Sequence, residues 1–251
     1  LPHKATYKCQ IMPAFTMSDY GIYGPDDPRL NEVVEKINKK YKIWVRELRV
    51  EDKHFEREIA VLKRKVEQLE NQKSLTVFYG SSTIRLWKNM TQDLAPYQTL
   101  NLGFGGAFIN SLSHYFEHLF DGITPKNIML YLGGNDLTLG FDADQIIADI
   151  SSFIMIIHKK FPTANIYNIA IKPSFEREKE LSKIKMINAG IQALSEKLPY
   201  LNQLGFYQTL MDSNGIRKDV LLQDGLHLNT KGYEALKELV LSALEKQAKG
   251  L

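Results

Sequence analysis

Downstream of Ser74 the chain alternates short apolar runs with amphipathic stretches. The runs cover residues 75–79, 99–102, 128–132, 166–171 and, more weakly, 204–207. Between them Ile146, Ile147, Ile150, Phe153, Ile154 and Ile157 recur at helical spacing, residues 179–198 follow a similar pattern, and a closing helix is expected after Asn229. An apolar run that does not alternate with polar residues suits a strand covered on both faces. Strand and helix in repetition predict an α/β fold, a three-layer sandwich around a parallel five-stranded sheet. In such sheets ligands bind beyond the carboxyl ends of the strands, so the residues just after each run are the ones to search for chemistry.

Upstream the pattern differs. Residues 1–29 hold Pro2, Pro13, Pro25 and Pro28 with Gly21 and Gly24 and show no periodicity, which predicts an irregular arm. From Leu30, apolar residues return at steps of three and four: Val34, Ile37, Tyr41, Trp44, Leu48, then Phe55, Ile59, Leu62, Val66 and Leu69. This predicts a long helix over 30–73 with one narrow stripe, broken by a stutter near Leu48 and a charge at Asp52. About 40 helical residues would reach roughly 60 Å, more than a domain of this size needs along one face. Two readings stay open: a coiled coil or helical hairpin through which residues 30–72 make a homo-oligomer, or a helix folded back on its own domain. The remainder, 74–251, is expected to form the main domain.

The 251 residues and 44% hydrophobic content suffice for one sizeable core plus an appendage. Thirty-two basic and 29 acidic residues are interleaved and leave a net charge of +3, which argues against a nucleic-acid partner. Cys9 is the single cysteine, so redox compartment is not legible and no internal disulfide forms. No apolar run nears the roughly 18 residues of a membrane span. The sequence opens at Leu1 and not Met, which leaves room for an upstream signal or anchor and keeps bacterial cytoplasm and export both open.

The strand ends carry a distinctive set. Gly80-Ser81-Ser82-Thr83 follows the first run, Gly103-Phe104-Gly105-Gly106 the second, Gly133-Gly134-Asn135-Asp136 the third, and Asp224-Gly225-Leu226-His227 lies near the C-terminus. From about Leu75 onward the chain resembles the SGNH (GDSL-like) hydrolases, named for the Ser, Gly, Asn and His of four blocks. The resemblance implies a flavodoxin-like SGNH fold with a serine nucleophile and neither metal nor organic cofactor. It makes Ser82 the nucleophile, His227 its base and Asp224 the carboxylate that orients the imidazole, with Ser82, Gly106 and Asn135 supplying the oxyanion hole. Two positions depart from the pattern: Ser81 stands where the family usually has Asp, and Ala107 where an Asp often follows the second-block glycine.

Each residue also has a plainer reading. Ser82 could cap a helix, the glycines could make a tight turn, Asn135-Asp136 could cap, and His227 could be an ordinary loop histidine. Rival motifs are weaker. Phe108 occupies the third glycine position of a dinucleotide fingerprint. His114 and His118 fit a short zinc pattern without a third ligand. No Gly-x-Ser-x-Gly elbow occurs.

Ser81, Phe104, Asp136 and Lys172 are candidates for substrate contact, and Trp87 and Leu137 with Phe104 could wall an acyl or sugar pocket, buried packing being the default for such residues. Lys172 could equally close a loop. The expected reaction is hydrolysis of a small-molecule, glycan or lipid ester through an acyl-serine. A short acyl group on a polar alcohol comes first, a lysophospholipase-type lipolytic acylhydrolase second. The reading from another class is a non-catalytic binding module that works through its helix.

Overall fold

The computed structural model of the protein describes residues 52–70 and 72–249. Its strands are β1 (Thr76–Gly80), β2 (Thr99–Asn101), β3 (Asn127–Tyr131), β4 (Asn165–Ile169) and β5 (Leu201–Leu204), with a small hairpin of β6 (Met211–Asp212) and β7 (Gly215–Ile216). The helices are α1 (Asp52–Glu67), α2 (Ser82–Arg85), α3 (Met90–Asp93), α4 (Ile109–Leu119), α5 (Ala143–Lys160), α6 (Leu181–Ser195), α7 (Phe206–Thr209) and α8 (Thr230–Ala248).

The main sheet runs β2-β1-β3-β4-β5, and all four pairings are parallel. Successive side chains on a strand leave opposite faces, so each apolar run feeds two cores. Val77, Tyr79, Ile128, Leu130 and Ile166 enter one core with α1, α4, α5 and α6. Phe78, Met129, Tyr131, Tyr167 and Ile169 enter the other, closed by α8 and the short turns at α2, α3 and α7. The chain passes from β1 outward to β2 and then returns to β3 on the other side of β1. At that reversal the connections leave the sheet in opposite directions, which opens a crevice between the ends of β1 and β3.

The fifth strand falls earlier than its apolar run suggests. Pairing with β4 uses Leu201–Leu204, Ile166 opposite Leu201 and Ile169 opposite Leu204. Gly205 then breaks the strand, and Phe206 and Tyr207 are buried from a helical turn. Burial of the two aromatics, not strand pairing, accounts for the apolar residues there.

Helix α1 decides between the two readings of the N-terminal stripe for the part described. Phe55, Ile59, Leu62 and Val66 are all buried in the chain's own core. The Phe55 ring lies 5.0 Å from Phe104 and 6.4 Å from Tyr115, both edge-on. Beyond the helix, the Gln72 amide donates to Gly122 O at 2.7 Å and accepts from Thr124 N at 2.7 Å. At these four positions the stripe is therefore an intramolecular clamp, not a seam between copies. Residues 1–51, the arm and the first half of the expected helix, lie outside the described residues.

Each of the four side chains contributes about 1.5–3 kcal/mol by leaving water. Removal of residues 1–72 is accordingly expected to uncover the apolar surface around Phe104 and Tyr115 and yield aggregated protein, read by light scattering. The milder Phe55→Ala should lower unfolding free energy by about 3–5 kcal/mol in a denaturant titration. A soluble, fully stable truncated protein would contradict the clamp.

Candidate active site

The catalytic-looking residues all gather at the carboxyl ends of the strands. Gly80 ends β1 beside Tyr131, the last residue of β3, and Ser81 N donates to Tyr131 O at 3.2 Å. The chain then turns into α2, whose first residue is Ser82; Ser81 O accepts from Ile84 N and Arg85 N. The second-block loop presses against this turn. A side chain at Gly103 would place its Cβ 2.5 Å from Arg85 N, so only glycine permits the approach. The Asn101 amide spans the same gap, donating to Ile84 O at 2.7 Å and accepting from Gly103 N at 3.0 Å.

The Asp224–His227 loop is shaped by its own sequence. Asp224 Oδ1 accepts from both Leu226 N and His227 N at 2.9 Å, an arrangement to which a short carboxylate side chain is suited. Gly225 has φ +66°, where a side chain would be strained. Three longer-range bonds seat the loop: Leu222 N to His227 O at 2.8 Å, Phe175 N to Gly225 O at 2.9 Å, and Lys172 Nζ to Leu226 O.

In this setting His227 Nδ1 lies 2.6 Å from Asp224 Oδ2 and His227 Nε2 lies 3.2 Å from Ser82 Oγ. The carboxylate only accepts, so it selects the tautomer with hydrogen on Nδ1 and leaves the Nε2 lone pair facing the serine. The His227 ring, followed by the two backbone N–H groups, holds the Asp224 carboxyl down to about 2. It is thus charged throughout the neutral range.

Asn135 enters from the end of β3. Its Nδ2 donates to Ala107 O at 2.9 Å, and its Oδ1 accepts from Arg177 Nη2 at 3.0 Å. A guanidinium has only donors and a carbonyl only accepts, so these partners set which way the amide faces. One Nδ2–H remains for a ligand. The bond to Ala107 also ties the third block to the second, next to Gly106. Nothing in the sequence marked Arg177, although the chain after the fourth strand was the region to search.

The four candidates for substrate contact divide. Ser81 and Lys172 line the small cleft around Ser82 with Thr83, Asn135, Arg177 and His227. Phe104 does not: it is fully buried among Phe55, Tyr79 and Tyr115. Asp136 is also buried, and its Oδ1 accepts from Ile109 N at the start of α4 at 3.1 Å, so it anchors a helix. Trp87 and Leu137 belong to the cores, Trp87 donating from Nε1 to Asp93 at 2.7 Å. Among the described residues, no three His, Cys, Asp or Glu side chains gather to hold a metal.

Lys172 takes the loop-closing role. It is 2% exposed, and burial, reinforced by the nearby Arg177, pulls its ammonium down to about 7 against the opposing pull of Asp224 and Glu176. An unfolded lysine titrates near 10.4. Between these values the unfolded chain holds the extra proton, so this residue makes stability rise as pH increases from about 7 to 10. Urea titrations across that range should show a steeper rise for the unaltered protein than for Lys172→Met; equal slopes would refute the assignment.

Comparisons with known proteins bear on the family and the fold. Residues 74–235 match the GDSL-like Lipase/Acylhydrolase family. A GDSL-like lipase from Bacteroides thetaiotaomicron shares the fold with a TM-score of 0.63 at 20% identity, over 78% of this chain and 97% of that one. A Streptococcus pneumoniae chain described as a putative platelet activating factor does so with a TM-score of 0.68 at 21% identity, over 81% of this chain and 99% of that one. N-acylneuraminate cytidylyltransferase of Escherichia coli is 25% identical over 162 residues, 62% of this chain but only 37% of the relative's length. With the match spanning most of the sheet and its surrounding helices, the chain belongs to the GDSL-like lipase/acylhydrolase family.

Proposed function

We propose that the protein is a serine esterase that removes a short acyl group, acetyl foremost, from a polar alcohol. The observation that carries this reading is the relay Asp224–His227–Ser82, with contacts of 2.6 and 3.2 Å. His227 Nε2 takes the Ser82 proton as Oγ attacks the ester carbonyl. The carbonyl oxygen becomes an oxyanion facing the N–H groups of Ser82 and Gly106 and the remaining Nδ2–H of Asn135. Collapse expels the alcohol, which takes the proton from His227, and leaves an acyl-serine. Water, deprotonated by His227, then attacks the acyl-serine; the acid departs and Ser82 recovers its proton.

Two observations support a small acyl group. The cleft at Ser82 has a cavity volume of about 10 Å³, far below the roughly 300–1,000 Å³ common for drug-sized ligands. The side chains that could have walled a longer acyl channel, Trp87, Phe104 and Leu137, are packed in the cores instead. A sugar as the alcohol is favoured by the Escherichia coli relative, whose name specifies an N-acylneuraminate. Cytidylyl transfer is not carried over, since the match covers a minor part of that protein.

A panel of para-nitrophenyl esters from acetyl to palmitoyl tests the reading. Turnover is expected to peak at acetyl or butyryl and to vanish, together with fluorophosphonate labelling, in Ser82→Ala. A maximum at palmitoyl would favour a lipolytic acylhydrolase; absence of both turnover and labelling in the unaltered protein would favour a binding module. Asn135→Ala should lower kcat by about 100-fold or more with little change in KM, because its amide acts on charge that appears in the transition state.

A further inference from the structure

Helix α1 precedes the residues that match the family, yet one of its side chains reaches the loops beside Ser82. Glu58 uses both carboxylate oxygens. Oε2 accepts from Gly105 N at 3.2 Å, and Oε1 pairs with Arg85 Nε at 2.5 Å. Gly105 immediately precedes Gly106, and Arg85 ends the helical turn that Ser82 begins. The Arg85 guanidinium also lies along the loop, since a Cβ at Gly105 would sit 3.1 Å from its Nη1. One carboxylate thus brackets the two segments from which two of the oxyanion donors come.

We propose that Glu58 is a positioning residue for the oxyanion hole, and that α1 is part of the catalytic unit and not an appendage to it. The inference rests on the esterase reading. Two backbone N–H groups on separate loops stabilise an oxyanion only when both converge on one atom, and small displacements of such donors are costly. The Glu58 bridge sets the spacing of the loops from outside, while Asn101 ties them from within. The helix itself is held by the burial of Phe55, Ile59, Leu62 and Val66, so Glu58 is presented from a rigid base. The ion pair is partly exposed, with Arg85 46% and Glu58 31% accessible. Pairs of that kind add little to global stability, so the bridge should register in turnover more than in melting temperature.

The test is steady-state kinetics on para-nitrophenyl acetate with the full chain. Glu58→Ala is expected to lower kcat about tenfold, less than outright loss of a donor, while KM stays within about twofold and the melting temperature shifts little. Glu58→Gln, which retains one acceptor oxygen, should fall between. Lys63→Ala removes a different contact of the same helix, the pair with Asp121 at 3.5 Å, and should leave kcat unchanged. Slower fluorophosphonate labelling in Glu58→Ala would accompany the lower kcat, since phosphonylation draws on the same hole. The proposal is overturned if Glu58→Ala keeps full kcat, or if its loss merely tracks a lower folded fraction or is matched by Lys63→Ala. Ser82→Ala separates the two levels: activity surviving in that variant refutes the esterase reading, whereas an inactive Ser82→Ala with a fully active Glu58→Ala refutes only the bridge.

Discussion

The parallel pairing of β1 with β3 is the constraint on which the rest depends. Five residues of each strand lie in register, from Thr76 opposite Asn127 to Gly80 opposite Tyr131. Ser81 N extends the contact by one further bond to Tyr131 O before the chains part. Because the order of strands reverses at this pair, no crossover covers the space beyond their ends. Ser82 and Asn135 are both delivered there by adjacent strands, without any loop long enough to wander. The relative position of serine and amide is thereby a property of the sheet.

His227 reaches the same place by a different route. It is 145 residues from Ser82 in the chain, and its link to Asp224 is encoded within four residues by an Asx-type turn and a glycine. What aims it at Ser82 is the layer beneath it, where Lys172 holds the Leu226 carbonyl and the Phe175 amide holds that of Gly225. The segment after β4 therefore holds both the His227 loop and Asn135, since Arg177 from the same segment fixes the Asn135 amide.

This arrangement places costly groups under the site. Lys172, Arg177 and Asp136 are all buried within a few residues of the chemistry. Taking such groups from water is unfavourable unless geometry and hydrogen bonding compensate. Lys172 bears the cost visibly, its ammonium drawn down to about 7. The two apolar cores on either side of the sheet supply the stability that lets the site hold these residues. Site precision is thus maintained by polar contacts that a stability-optimised core would not contain.

The sequence by itself determined the strand–helix alternation, the parallel sheet, and the order of the blocks at the strand ends. These are legible because side-chain periodicity reports burial directly and because the Asp224-Gly225-Leu226-His227 turn is local. The fate of the other polar and aromatic residues near the blocks was not legible. Phe104 lies within a block and Trp87 shortly after one, yet which face of the fold they enter depends on neighbours such as Phe55 and Tyr233, distant in the chain. Asp136 turned out to anchor α4 because the start of that helix lies over β3's end. The stripe from Phe55 to Val66 has the same spacing whether it meets another copy or its own domain, and only the fold supplied the apolar surface it covers. Arg177 and Glu58 carried no motif at all. Arg177 meets Asn135 across 42 residues, and Glu58 meets Arg85 and, across 47 residues, Gly105; contacts of that length are decided by tertiary packing, not by any pattern along the chain.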